Sequence, residues 1–228
     1  MELTRDGSVF VLHMMEGENR LNRSLVDGFS RALDEVEASQ GEAALVTTGA
    51  DRFYSTGLDL EWIASGAEPA AAFIADVQRL FARLLAFPVA TVAAINGHAF
   101  AGGCLLALAH DFRVMRVDRG FICMPEVDLR MGRPLTPGMY ALLDARLSRA
   151  AVHEALLTGR RYNAHEAQAR QFVNDIAPAD EVLPHAVELA RGLAAKDRAS
   201  MGAIKAGLFE RAIEALTQPL PSWLASPQ

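Results

Sequence analysis

Cysteine is scarce in this chain: two in 228 residues, Cys104 and Cys123, both set among apolar neighbours. That pair reads as buried thiols of a reducing compartment and excludes a disulfide framework. No basic block stands out. The net charge is -6, so a nucleic acid is not expected as the main partner. No apolar run is long enough to span a bilayer, so no membrane association is expected. The opening Met1-Glu2-Leu3-Thr4-Arg5 lacks the pattern of a secretion signal, and the closing Ser226-Pro227-Gln228 lacks that of a peroxisomal address. A cytoplasmic setting is the expectation. No His, Cys and Asp cluster has metal-ligand spacing, so no metal is expected.

What is present is apolar: 51% of residues are hydrophobic, enough for one large core. The most organised stretch is Asn96-Gly97-His98-Ala99-Phe100-Ala101-Gly102-Gly103-Cys104, continuing through Leu105-Leu106-Ala107-Leu108-Ala109. Before it, Val89 to Ile95 reads as a buried strand. After it, Cys104 to Ala109 is apolar on every side and reads as a buried helix. The glycines at the junction let backbone approach closely and leave N–H groups free at a helix start, where they can stabilise negative charge on an oxygen. A tight, chemically silent turn fits this stretch equally well when it is taken alone.

Elsewhere the pattern predicts strands over Ser8–Met14, Ala43–Thr48, Asp111–Met115, Phe121–Met124 and Phe172–Ile176. It predicts helices from Asn22 to about Ala38, Pro69–Ala86, Ala150–Thr158, Ala164–Arg170, Leu183–Ala195 and Ala199–Leu216. Gly49 to Leu60 reads as a loop. So does Pro125 onward, broken by Gly132, Pro134, Pro137 and Gly138. The division is a core over 1–180 and a helical region over 181–228.

Three pieces carry candidate chemistry. Gly57-Leu58-Asp59 and Ala101-Gly102-Gly103 each offer backbone donors. Glu126 lies between Met124-Pro125 and Val127, and a carboxyl among apolar neighbours becomes a better base. Alone, Pro-Glu-Val fits a solvated or helix-capping glutamate better. In order, Phe53-Tyr54-Ser55-Thr56-Gly57-Leu58-Asp59-Leu60, Ala94 to Gly103, Asp111, Met124 to Leu129, and Leu157-Thr158-Gly159-Arg160-Arg161 resemble the crotonase superfamily, the enoyl-CoA hydratase/isomerase family. The resemblance implies an α/β fold, a spiral of ββα units with a C-terminal helical region. It implies an acyl-CoA thioester substrate, no cofactor beyond the coenzyme A of that substrate, and a homotrimer or hexamer. It also implies an oxyanion hole from the N–H groups of Leu58 and Gly102, with Glu126 as the catalytic acid–base.

Hydratases of the family carry a second glutamate directly after the glycine turn, and here that position is Leu105. One base suffices to move a double bond from C3–C4 to C2–C3, so the pattern resembles the Δ3,Δ2-enoyl-CoA isomerases, the short plant ones above all. The alternatives are a hydratase or other enolate-forming enzyme with a different second acid, and an acyl-CoA-binding scaffold without turnover. Cys104 is expected to pack, Asp59 to fix its loop, Glu61, Asp128 and Arg130 to face solvent or serve structure, and Tyr140 to pack in the core. Gln171 stands where the family usually has glycine, which predicts a different turn there.

Overall fold

A computed structural model describes residues 1–130, 132 and 135–221. Pro134 and the terminal Ser226–Gln228, named above, lie outside the described residues.

The chain opens with a hairpin of β1 (Glu2–Asp6) and β2 (Val9–His13) across Gly7, whose φ of 61° suits a residue without Cβ. The sequence pattern had no signal for β1, because four of its five residues are exposed. Asn22 then caps α1 (Arg23–Ala38), its side chain accepting from Leu25 N–H. The buried Leu25, Phe29, Leu33 and Val36 form one stripe of that helix.

From here the chain repeats a unit: a long strand, a short strand, a helix. The first unit is β3 (Ala44–Thr48), β4 (Phe53–Ser55), then α2 (Leu60–Ala64) and α3 (Ala70–Leu85). The second is β5 (Ala90–Ile95), β6 (His98–Phe100) and α4 (Gly102–Ala109). The third is β7 (Phe112–Arg116), β8 (Ile122–Cys123) and a single 3-10 turn, Glu126–Asp128. The long strands join a six-stranded sheet ordered β1-β2-β3-β5-β7-β9, parallel except for β1. The short strands form their own parallel sheet, β4-β6-β8. This is the expected ββα spiral. Its consequence is that all three short strands run in one direction and deliver their following loops to one place: Gly57, Gly102 and Glu126.

The rest is α5 (Pro137–Arg146), α6 (Arg149–Thr158), α7 (Ala164–Ala169), β9 (Asp175–Ala177), α8 (Val182–Arg191), α9 (Arg198–Leu208) and α10 (Glu210–Thr217). α8 covers one face of the large sheet, burying Val182, Ala186 and Ala190 against Val46, Val92 and Val114. α10 packs on α5 and α3. No helix among the described residues is long and apolar enough to cross a membrane.

Several expectations change. His98–Phe100 pairs as a strand rather than a turn. Pro137 and Gly138 do not break a loop; they begin α5, with Thr136 capping through its hydroxyl and proline in the first turn, where it loses no helical bond. The closing helix is two helices meeting at Phe209. Tyr140 is 44% exposed rather than packed in the core. Gln171 adopts φ 63°, so the turn keeps a glycine-like left-handed backbone despite the side chain.

Candidate active site

Two loops meet edge to edge. Gly57 has φ 91°, and a Cβ on it would lie 2.7 Å from Gly102 N and 3.0 Å from Phe100 O. A Cβ on Gly103 would fall 2.1 Å from Ser55 O, so only glycine fits. From the other side, a Cβ on Gly102 would stand 3.4 Å from Leu58 N. The loops are therefore in direct contact, with the Leu58 and Gly102 amides beside each other. Ala101, ahead of the helix, sits at φ 50° and ψ −121°, a region an L-residue rarely adopts. Such strain persists only where surrounding structure holds it, and it concentrates at functional turns. Neither the Leu58 nor the Gly102 N–H has a hydrogen-bond partner among the described residues. Gly102 opens α4, whose eight residues are all buried, so its N–H sits at the positive end of a desolvated helix.

The Leu58 loop is tied down from several directions. Leu21 N–H donates to Gly57 O at 2.7 Å, and Asp59 N–H donates to Leu21 O at 3.0 Å. Ser55 Oγ donates to Asn19 O at 2.7 Å and accepts from Gly57 N–H at 3.3 Å. Asp59 caps α2, accepting from Trp62 N–H at 3.1 Å, which is the loop-fixing role expected of it.

Both amides border a cavity of about 200 Å³. Its walls are Leu58, Leu60, Phe100, Leu105, Leu135 and Met139, with Glu126 set among them. Glu126 is 6% exposed, and its Oε2 is buried with no hydrogen-bond partner among the described residues. Burial pushes its pKa up to about 7. It is the single titratable side chain among the described lining residues. Leu105, where a second acid would stand, is 1% exposed and part of the apolar wall.

The other candidates fall away from the chemistry. Burial raises the Cys104 thiol well above its ordinary value, so it is no nucleophile; it packs in the core. His98 accepts from Phe121 N–H and is not aimed at the cavity lining. Glu61, Asp128 and Arg130 are exposed. A larger groove, about 480 Å³, lies between α9 and the start of β7. Two of the charges lining it, Lys205 and Asp111, are paired to each other at 2.5 Å. Among the described residues no group of three His, Cys, Asp or Glu could hold a metal. Sequence reasoning missed Leu135 and Met139 as walls, because α5 read as a loop. The Thr136-Pro137 pair, a cap followed by a first-turn proline, was the signal that could have shown it.

The sequence profile described as Enoyl-CoA hydratase/isomerase matches residues 4–221. The chain belongs to that family. It is 35% identical to enoyl-CoA delta isomerase 3 of Arabidopsis thaliana over 203 residues, 85% of this chain and 84% of the relative. It is 30% identical to a carnitinyl-CoA dehydratase of Salmonella enteritidis over 210 residues, 90% of this chain and 78% of that one. Its fold superposes on human mitochondrial delta3-delta2-enoyl-CoA isomerase with a TM-score of 0.84 at 26% identity, covering 94% and 85% of the two chains. The fold is a crotonase fold, and the protein is an enzyme of the enoyl-CoA hydratase/isomerase family.

Proposed function

We propose that this enzyme is a Δ3,Δ2-enoyl-CoA isomerase with Glu126 as its one acid–base group. The observation that carries the reading is the solitary carboxyl: among the described residues no other titratable group lines the cavity, and Leu105 fills the place a hydratase gives to its second acid. The thioester oxygen would lie against the free N–H groups of Leu58 and Gly102. Ionised Glu126 removes the proton from C2. The electron pair moves toward the thioester oxygen, giving a dienolate whose charge the two amides hold. Protonated Glu126 then returns the proton to C4, and the double bond rests between C2 and C3. No water and no second acid enter the balance. The apolar walls suit an alkenyl chain, and their dryness raises the proton affinity of Glu126 toward working pH.

The site's pieces were expected from the resemblance, and their convergence on one cavity supports the roles assigned here. Exposed Ile204 and Leu208 on α9, at 62% and 71%, support assembly into the trimer or hexamer expected of the family, which sedimentation would read.

The test is turnover of trans-3-hexenoyl-CoA, followed by the absorbance of the conjugated 2-enoyl product. Wild type is expected to isomerise it and Glu126→Gln to fail. Hydration of 2-hexenoyl-CoA running faster than isomerisation would assign a hydratase instead. Tight binding of both thioesters with no conversion would assign a binding protein.

A further inference from the structure

Outside the cavity lining lies a line of three fully buried polar side chains: Tyr54 on β4, Thr47 on β3 and His110 just past α4. Tyr54 Oη stands 2.8 Å from Thr47 Oγ1, Thr47 Oγ1 stands 3.0 Å from His110 Nε2, and His110 Nδ1 stands 2.8 Å from the carbonyl oxygen of Leu106. The chemistry of the groups sets every proton in this line. A carbonyl oxygen only accepts, so His110 Nδ1 carries a hydrogen and donates. Burial pushes His110 down to about 3, so the ring is neutral and Nε2 is an acceptor. Thr47 must then donate to Nε2, which leaves its lone pair to accept from Tyr54 O–H. The direction is single: Tyr54 to Thr47 to His110 to Leu106. The imidazole is held edge-on against Phe29 of α1, with ring centroids 6.4 Å apart.

The ends of the line fall at matched distances along the chain from the two amides. Tyr54 lies four residues before Leu58, on the strand that carries that loop. Leu106 lies four residues after Gly102, on the helix that Gly102 opens. Ser55, next to Tyr54, holds Gly57 N–H through its hydroxyl and abuts Gly103 through its carbonyl. β4 and α4 are thus fastened to one another through β3.

We propose that Tyr54, Thr47 and His110 are positioning residues that set the spacing of the Leu58 and Gly102 amides. The proposal rests on the oxyanion-hole reading given above. An oxyanion hole acts only when its donors already stand where the charge will develop, and small displacements far from the reacting atoms cost large factors in rate.

Thr47→Val keeps shape and deletes the hydroxyl at the centre of the line. It is expected to lower kcat on trans-3-hexenoyl-CoA by about tenfold or more while KM stays within about twofold, since the lost stabilisation is felt in the transition state. Tyr54→Phe is expected to act in the same direction. Added to Thr47→Val it should lower kcat no further, because the line is already cut. Thr47→Ser restores the hydroxyl and should restore kcat. A second measurement is independent of turnover: the carbonyl stretch of bound hexanoyl-CoA. It should move toward its value in free thioester in Thr47→Val and stay shifted in Thr47→Ser and in Glu126→Gln. If Thr47→Val does not fold, Tyr54→Phe, which removes one oxygen, carries both readouts. Wild-type kcat and wild-type carbonyl frequency in Tyr54→Phe and Thr47→Val, with only a lower melting temperature, would overturn the proposal. Should wild type fail to isomerise any 3-enoyl thioester, the isomerase reading falls and the carbonyl frequency still decides this one.

Discussion

Asp111 and Glu126 are both carboxylates screened from solvent, and their surroundings differ in what they offer. Asp111 Oδ2 accepts from Thr91 N–H at 2.8 Å, from Thr91 Oγ1 at 3.0 Å and from Lys205 Nζ at 2.5 Å. Lys205 in turn donates to Val89 O at 2.7 Å, which docks α9 on the core. Glu126 Oε2 has no partner among the described residues and faces leucine, methionine and phenylalanine. A carboxylate oxygen tied to three donors of its own core serves the fold. One left unmatched in an apolar wall is pushed up to about 7, which suits the proton transfer proposed for it. The contrast between these two carboxylates is therefore visible in their hydrogen-bond partners before any relative is consulted.

The sharpest way to break this comparison is to neutralise each partner. Glu126→Gln is expected to lower kcat/KM on trans-3-hexenoyl-CoA by about 10²–10⁴ with the fold intact. A loss below tenfold would place the base elsewhere. Lys205→Met is expected to remove the ammonium partner of Asp111 and to cost about 3 kcal/mol in urea unfolding, with activity per folded molecule little changed. Equal stability would mean that the Lys205 pair adds nothing to the docking of α9.

A smaller effect separates the two carboxylates by pH. Below about pH 4.5 Glu126 is protonated in both the folded and the unfolded chain and imposes no penalty. As pH rises, the unfolded chain loses the proton first, so the penalty on folding grows until the folded group ionises at about 7 and keeps its full size above that. Moving a carboxyl from 4.5 to about 7 corresponds to about 3 kcal/mol at most. Glu126→Gln should therefore be more stable than wild type by about 2–3 kcal/mol above pH 7 and about equal below pH 4.5, read by unfolding at both pH values. On the role proposed for Glu126, wild-type kcat/KM should rise with pH through about 7.

Much of this was legible in the residues. β-branched runs marked β3 and β5, Asn22 marked the start of α1, and the doubled glycine marked α4. Leu58, Gly102 and Glu126 were named from the family pattern they carry. What could not be read was whatever depends on long-range partners. β1 is exposed and earns its strand only by pairing with β2. β6 exists because β4 and β8 flank it. The polar line from Tyr54 to His110 joins residues separated by as many as 63 positions, and no local spacing announces it. Gln171 shows the reverse case: residue type argued for a changed turn, but Phe172 and Val173 are buried, and their packing holds Gln171 at φ 63°.

The finest test places a second carboxyl beside the first. Leu105 is buried in the first turns of α4 and shares the cavity wall with Glu126. In Leu105→Glu two acids would share one dry space and titrate as a pair, since both cannot ionise there without repulsion. The pH midpoint of isomerisation should rise by about one pH unit, equivalent to about 1.4 kcal/mol. The rate at pH 7 should fall accordingly, and hydration of 2-hexenoyl-CoA should rise above the wild-type background. An unmoved midpoint would show that water reaches and screens the pair. Glu126 would then owe its proton affinity to something other than the apolar wall, and the contrast with Asp111 would lose its cause.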